Sequence, residues 1–161
     1  MMKDIFIDAD IANTFANTED QNKLDLINWL LNNECAFLVT SNSLRGEYFG
    51  GNAGCEKELS IAYIYTQLQK EERLNPIKID KIKQFQQTHF EWESISCKRS
   101  GSHDPDHIAA IFLSDRRIAL VKDGKFHSDL INFFPKKKVK GKRVTVATCP
   151  SKLNYKEDEA A

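Results

Sequence analysis

The residues of this chain best suited to chemistry are carboxylates, and they stand at recurrent places. Ile5-Phe6-Ile7 runs directly into Asp8-Ala9-Asp10. Glu47 follows the polar cluster Ser41-Asn42-Ser43, Asp104 and Asp106 precede the small apolar run 108–113, and Asp123 follows the run 118–121 after Lys122. Singly, each acid reads as a helix cap or a solvated surface charge, and Asp10 suits an N-cap well. Asp8 is different, because a carboxylate directly behind a buried apolar run is costly unless something binds or neutralises it. Carboxylates that converge repel one another and resist ionisation without a counter-ion. Hard divalent cations such as Mg²⁺ or Mn²⁺ prefer oxygen ligands and answer that repulsion. Two such ions can activate a water and steady the leaving oxygen of a phosphodiester.

Convergence requires elements that bring these positions to one edge. The run 5–7, with two β-branched residues, predicts a short strand buried on both faces. Leu24, Ile27, Leu30 and Leu31 recur at helical spacing, with Thr18 ahead of the helix and Glu19 and Asp20 in its first turn. Residues 36–40 predict a second buried strand, completing a parallel strand–helix–strand unit. Ser41 is the expected N-cap of a helix carrying Leu44, Arg45, Glu47 and Tyr48. Residues 50–54 form a glycine-rich loop without the spacing of a phosphate-binding loop. A long helix is expected over 56–73, stopped by Asn75-Pro76, with Leu59, Ala62, Tyr63, Tyr65, Thr66 and Leu68 as its inner positions. Tyr63 and Tyr65 on it read as core or as a homodimer face. Another helix follows around Ile79, Ile82, Phe85 and Gln86, then an extended piece over 90–95. Pro105 and Asp106 suit the first turn of a helix through 108–113. Residues 118–121 predict a third strand, 127–134 a short helix and 144–148 an edge strand. These add up to an α/β protein: a single three-layer α/β/α domain with a mainly parallel central sheet over 1–149, and a disordered tail over 150–161. In such sheets ligands sit outside the carboxyl ends of the strands.

The 161 residues balance 23 basic against 23 acidic side chains, so no net field selects nucleic acid or membrane. Charge is nonetheless uneven: Lys136, Lys137, Lys138, Lys140, Lys142 and Arg143 form a basic run, read as an arm that tracks phosphates. Cysteines 35, 55, 97 and 149 show no metal-ligand spacing, which predicts reduced, unpaired thiols. No stretch reaches the roughly 18 apolar residues of a membrane span, and no signal segment is evident, so a cytoplasmic protein without membrane contact is expected.

Ile5–Asp10, the segment 41–48 ending in Glu47 and Tyr48, Asp104-Pro105-Asp106-His107-Ile108-Ala109-Ala110, and the segment 120–126 around Asp123 resemble the four motifs of PIN-domain nucleases. That family includes the ribonuclease toxins of bacterial toxin–antitoxin pairs, and the resemblance spans residues 5–134. It implies a metal-dependent endonuclease acting on RNA, with Asp8, Glu47, Asp104 or Asp106, and Asp123 as catalytic residues and as ligands of Mg²⁺ or Mn²⁺. It also implies an inhibitory, antitoxin-like protein partner that occludes the acids. Arg45 and Lys122 are the basic residues nearest the acids in sequence and are expected to meet the nucleic acid. Two features depart from the pattern: Val121 replaces a usual Thr or Ser, and the third acid is ambiguous between Asp104 and Asp106. A haloacid-dehalogenase-like phosphatase is the rival enzyme, with Asp8 and Asp10 as nucleophile and general acid, though Ala12 departs from that motif. A PIN-like RNA-binding module without catalysis is the non-enzyme rival. His103 and His107 flank the third acid and read as loop and helix-start residues within reach of a phosphate.

Overall fold

Ile5, Phe6 and Ile7 are wholly buried because their strand lies at the middle of a sheet covered on both faces. The computed structural model describes residues 1–50, 59–97, 102–133 and 143–157. In it, β1 (Lys3–Ile7), β2 (Ala36–Thr40), β3 (Leu74–Pro76), β4 (Ile118–Leu120) and β5 (Thr145–Ala147) form one five-stranded sheet in the order β3-β2-β1-β4-β5. Every pairing is parallel, with Ile5 opposite Leu38 and Ile7 opposite Leu120. Parallel neighbours need crossovers, and helices supply them: α1 (Ala9–Ala12), α2 (Gln21–Asn32), α3 (Asn42–Gly50), α4 (Ile61–Lys70), α5 (Ile79–His89), α6 (Asp104–Leu113) and α7 (Lys125–Asn132). Helices α2 and α4 contact each other, as do α5 and α6, and both pairs reach β2, so the sheet is the middle of three layers. This is the α/β/α architecture that the alternation of strands and helices predicts.

Two buried polar side chains tie the ends of these elements together. Asp4, fully buried in β1, accepts hydrogen bonds from Asn75 Nδ2, Asp115 N and Arg116 N, each at 2.8 Å. It therefore links the amino ends of β1 and β4 to the edge strand β3. Arg73, 5 % exposed, donates to the carbonyls of Leu30, Leu31, Asn33 and Ala36. The carbonyls of Leu30 and Leu31 are acceptors left open at the carboxyl end of α2, so one guanidinium closes that helix end and ties it to the start of β2.

The structure corrects several expectations. Asp20, not Thr18, caps α2: its side chain accepts from Asn22 N at 2.9 Å, while Thr18 Oγ1 accepts from Asp20 N. The helix expected over 56–73 occupies only Ile61–Lys70 among the described residues, with Ser60 as N-cap and Leu59 at a positive φ of 65°. Glu72 turns left-handed at its other end, and Leu74–Pro76 pairs with β2 instead. That strand has no alternating apolar pattern, and its proline is tolerated because it lies on an edge. Ala62, Tyr65 and Leu68 are buried, Leu59 is partly so, and Tyr63 reaches solvent. The segment expected to be extended contains a 3-10 turn at Trp92–Ser94. The segment expected to be a disordered tail packs on the domain over its described residues 150–157: Leu153 and Tyr155 enter the core and Arg116 holds the Tyr155 and Glu157 carbonyls. Cys35, Cys97 and Cys149 are free thiols, whereas Cys55, the loop 51–54 and lysines 136–142 lie outside the described residues. No helix among the described residues is long and apolar enough to cross a membrane.

Because Asp4 satisfies three donors at once, Asp4→Asn should strand at least one of them in the core. The expected loss is about 2–4 kcal/mol, or roughly 4–16 °C in thermal midpoint for a domain of this size. Melting followed by circular dichroism reads the difference; a midpoint unchanged within error would show that Asp4 is dispensable.

Candidate active site

The sheet order decides where a site can form. From β1 the chain winds outward to β2 and β3, then returns to the other side of β1 to lay down β4 and β5. The crevice at such a reversal lies outside the carboxyl ends of the two central strands. Here those strands are β1 and β4, and the residues that follow them are Asp8, Lys122 and Asp123. An open cleft of about 660 Å³ lies there, and Asp8, Asp10, Glu47, Asp104 and Asp123 all line it. Asp106 does not line it.

Each acid is placed by a local device. Asp8 N donates to Leu120 O at 2.9 Å, continuing the β1–β4 ladder, and Asp8 then occupies the N-cap position of α1. Its carboxylate makes no capping hydrogen bond and instead has Lys122 N at 3.5 Å from Oδ2. The cap expected of Asp10 thus falls to Asp8 by position only, and Asp10 is an exposed first-turn residue. Ser41 Oγ accepts from Leu44 N at 3.1 Å and starts α3, as its sequence predicts. Tyr48, fully buried, donates its hydroxyl to Ile7 O, which pins α3 to the end of β1 and brings the neighbouring Glu47 to the same cleft as Asp8. Asp104 opens α6, where Ser102 Oγ accepts its backbone N–H. Asp106 turns the other way: Oδ1 accepts from Gln86 Nε2 at 2.7 Å and Lys83 Nζ at 3.3 Å, tying α6 to α5. Of the two candidates for the third acid, Asp104 lines the cleft and Asp106 does not. Asp106, expected as a catalytic residue and metal ligand, is instead engaged in packing two helices.

Gly124 separates Asp123 from Lys125 at φ 152° and ψ −160°. A side chain is strained in that region, so the turn that delivers Lys125 to the cleft as the first residue of α7 needs glycine. Lys122 and Lys125 both line the cleft. Lys125 escaped sequence reading because nothing in the segment marks it except its nearness to Asp123. Arg45 is exposed on α3 with its guanidinium 5.1 Å from the centre of the Phe49 ring, and it does not line the cleft. Arg143 is exposed and also away from it. His103 lines the cleft, whereas His107 is fully buried and cannot reach a phosphate; its Nε2 lies 3.0 Å from Glu47 Oε1. The far wall carries Ser96 and Cys97, held by Asp129, which accepts from both backbone N–H groups and from Ser96 Oγ. Burial and this carboxylate push the Cys97 thiol up, so it is no thiolate nucleophile.

Electrostatics single out Asp8. Burial first, and then the charge of Asp10, push its carboxyl from 3.8 up to about 6, while the Lys122 N–H and His107 oppose the rise and Asp104 adds to it. Burial, followed by the charges of Asp8 and Glu47, also pushes the Tyr48 hydroxyl well up, so it remains a donor. The cleft offers carboxylate oxygens to a hard cation, which fits Mg²⁺ or Mn²⁺ in donor chemistry. Among the described residues, no three His, Cys, Asp or Glu side chains are gathered closely enough to hold an ion as they stand.

The state of Asp8 has a measurable consequence without any metal. An acid whose folded value is raised binds more protons folded than unfolded between pH about 4 and 6, so its contribution to stability falls as pH rises through that window. The full effect is about 3 kcal/mol against the ionised form. Asp8→Asn should therefore melt higher than the parent at pH 7.5 in chelator, and the gap should close at pH 4. A gap that is the same at both values would remove the strain assigned to Asp8. No family model matches the chain, and no curated protein or solved structure matches it.

Proposed function

We propose that the protein is a metal-dependent endonuclease that hydrolyses phosphodiester bonds, with RNA as substrate. The observation that carries this reading is the convergence of Asp8, Asp10, Glu47, Asp104 and Asp123 on one open cleft at the reversal point of a parallel sheet. Preference for RNA, and an inhibitory protein partner that covers the acids, come from the resemblance to PIN-domain nucleases.

On this reading Asp8, Glu47, Asp104 and Asp123 hold the Mg²⁺ or Mn²⁺, which when bound supplies Lewis-acid polarisation and charge neutralisation at the phosphodiester. Asp8 is poised for the exchange of proton for cation, because its environment already disfavours the bare carboxylate. Lys122 and Lys125 bring positive charge to an otherwise acidic wall and engage the backbone phosphates. Val121 costs the site little: it is fully buried, and the polar neighbour of Asp8 at this point is the Lys122 backbone N–H.

The decisive assay presents structured and single-stranded RNA, DNA and a generic phosphomonoester, each with Mg²⁺, with Mn²⁺ and with EDTA. Cleavage of RNA that stops in EDTA is expected, and full activity in chelator would exclude the mechanism. Turnover of the phosphomonoester alone would point to a phosphatase, and RNA binding without cleavage to a non-catalytic module. Asp8→Asn and Asp104→Asn should abolish cleavage. Asp10→Asn should lose roughly tenfold, as expected of a residue that tunes a ligand. Asp106→Asn should cleave like the parent, and an inactive Asp106→Asn protein with parental melting would reverse the assignment of the third acid.

A further inference from the structure

We propose that His107 is a positioning residue for Glu47, holding its carboxylate in the orientation from which it serves the cleft. The proposal rests on reading Glu47 as one of the carboxylates that hold the ion.

His107 is fully buried, and its ring sits 5.4 Å from that of Phe6 and 6.1 Å from that of Phe126. These neighbours belong to β1 and α7, while His107 belongs to α6 and Glu47 to α3. One imidazole therefore touches each of the acid-bearing segments: the strand that ends at Asp8, the helix of Glu47, the helix that Asp104 opens and the helix after Asp123. Its Nε2 faces Glu47 Oε1 at 3.0 Å, whereas Nδ1 is buried with no partner among the described residues. A neutral imidazole has one N–H to place. On Nδ1 it would be a stranded buried donor facing nothing, and Glu47 would meet a lone pair; on Nε2 it donates to the carboxylate. The aromatic neighbours hold the ring plane, and the ring holds Oε1, leaving Oε2 as the oxygen free for the cleft. A glutamate reaching from a helix flank otherwise has its side-chain torsions to fix when a ligand arrives.

A histidine that merely filled the core would behave differently, since leucine would replace it without loss at the site. The test compares the parent with His107→Gln, which keeps an N–H near the Nε2 position, His107→Leu, Glu47→Ala and the His107→Leu/Glu47→Ala pair. Two readouts are taken. The first is the ring ¹⁵N spectrum of metal-free protein, where His107 should show a proton on Nε2, with a changed Nε2 signal in Glu47→Ala. The second is Mn²⁺ affinity by titration. His107→Leu should weaken it roughly 10–100-fold, the usual effect of losing a group that orients a ligand. His107→Gln should restore most of that loss, and His107→Leu should add nothing once Glu47 is alanine. A folded His107→Leu protein with parental Mn²⁺ affinity, or a loss that persists in the Glu47→Ala background, overturns the proposal. If His107→Leu does not fold, the ¹⁵N spectrum of the parent decides, and an Nε2 without a proton overturns it equally. Should the parent bind no Mn²⁺ at all, the nuclease reading fails, and the spectrum still shows whether His107 holds Glu47.

Discussion

Strand β1 sets the terms for the whole molecule, because it lies between two parallel neighbours and carries a buried carboxylate near each end. At one end Asp4 accepts three short hydrogen bonds and joins the strand to its surroundings. At the other, Asp8 is nearly as buried but has a long contact to the Lys122 N–H, and its burial and the charge of Asp10 raise its carboxyl. The same residue type in the same strand is thus a fastening in one place and a strained group in the other. A fold can afford the second because the first, with the apolar run between them, holds the strand regardless. That contrast separates an acid that fastens the fold from one held in it at a cost more firmly than composition does.

The remaining acids depend on how well that strand end is held. Tyr48 donates to Ile7 O, immediately before Asp8, and Glu47 immediately precedes Tyr48. The spacing between the carboxylates of β1 and α3 is therefore set by a buried hydroxyl one residue away from each. On the opposite wall, Asp129 performs a similar service for Ser96 and Cys97: burial opposes its charge, yet hydrogen bonds from Cys97 and Ser96 hold its carboxyl below the ordinary range. Asp4, Asp106 and Asp129 thus build the frame, and the cleft acids stand on it.

Much of this arrangement was legible in the sequence where local pattern and tertiary context agree. Residues 5–7 and 36–40 are apolar enough to be read as buried strands, and both are; Ser41 reads as a cap and is one. The α/β/α class follows from their alternation with helices. What could not be read depends on contacts distant in sequence. β3 has no apolar periodicity and exists because β2 offers it a ladder. Leu153 and Tyr155 look like tail residues until Trp29 is seen against the Tyr155 ring, 5.0 Å away. Asp104 and Asp106 are two residues apart at the start of one helix, and only Gln86 and Lys83 on a neighbouring helix show which one is occupied elsewhere. His107 read as a helix-start residue within reach of a phosphate because the aromatic rings that bury it come from other elements.

The electrostatic balance of the cleft follows from the same topology. A parallel sheet directs all its strand ends to one edge, so polar residues after successive strands accumulate there whether or not they attract one another. In this chain they are mostly acids, and the lysines at the edge, Lys122 and Lys125, are adjacent to Asp123 in sequence rather than gathered from afar. The repulsion that Asp10 and Asp104 exert on Asp8 is therefore built in by connectivity. It can be met by protonation, which the raised carboxyl of Asp8 registers, or by a cation that the oxygens share. Protonation at Asp8 is lost as pH rises through about 6, and under the proposed function a bound cation would take over that neutralisation beside Lys122 and Lys125.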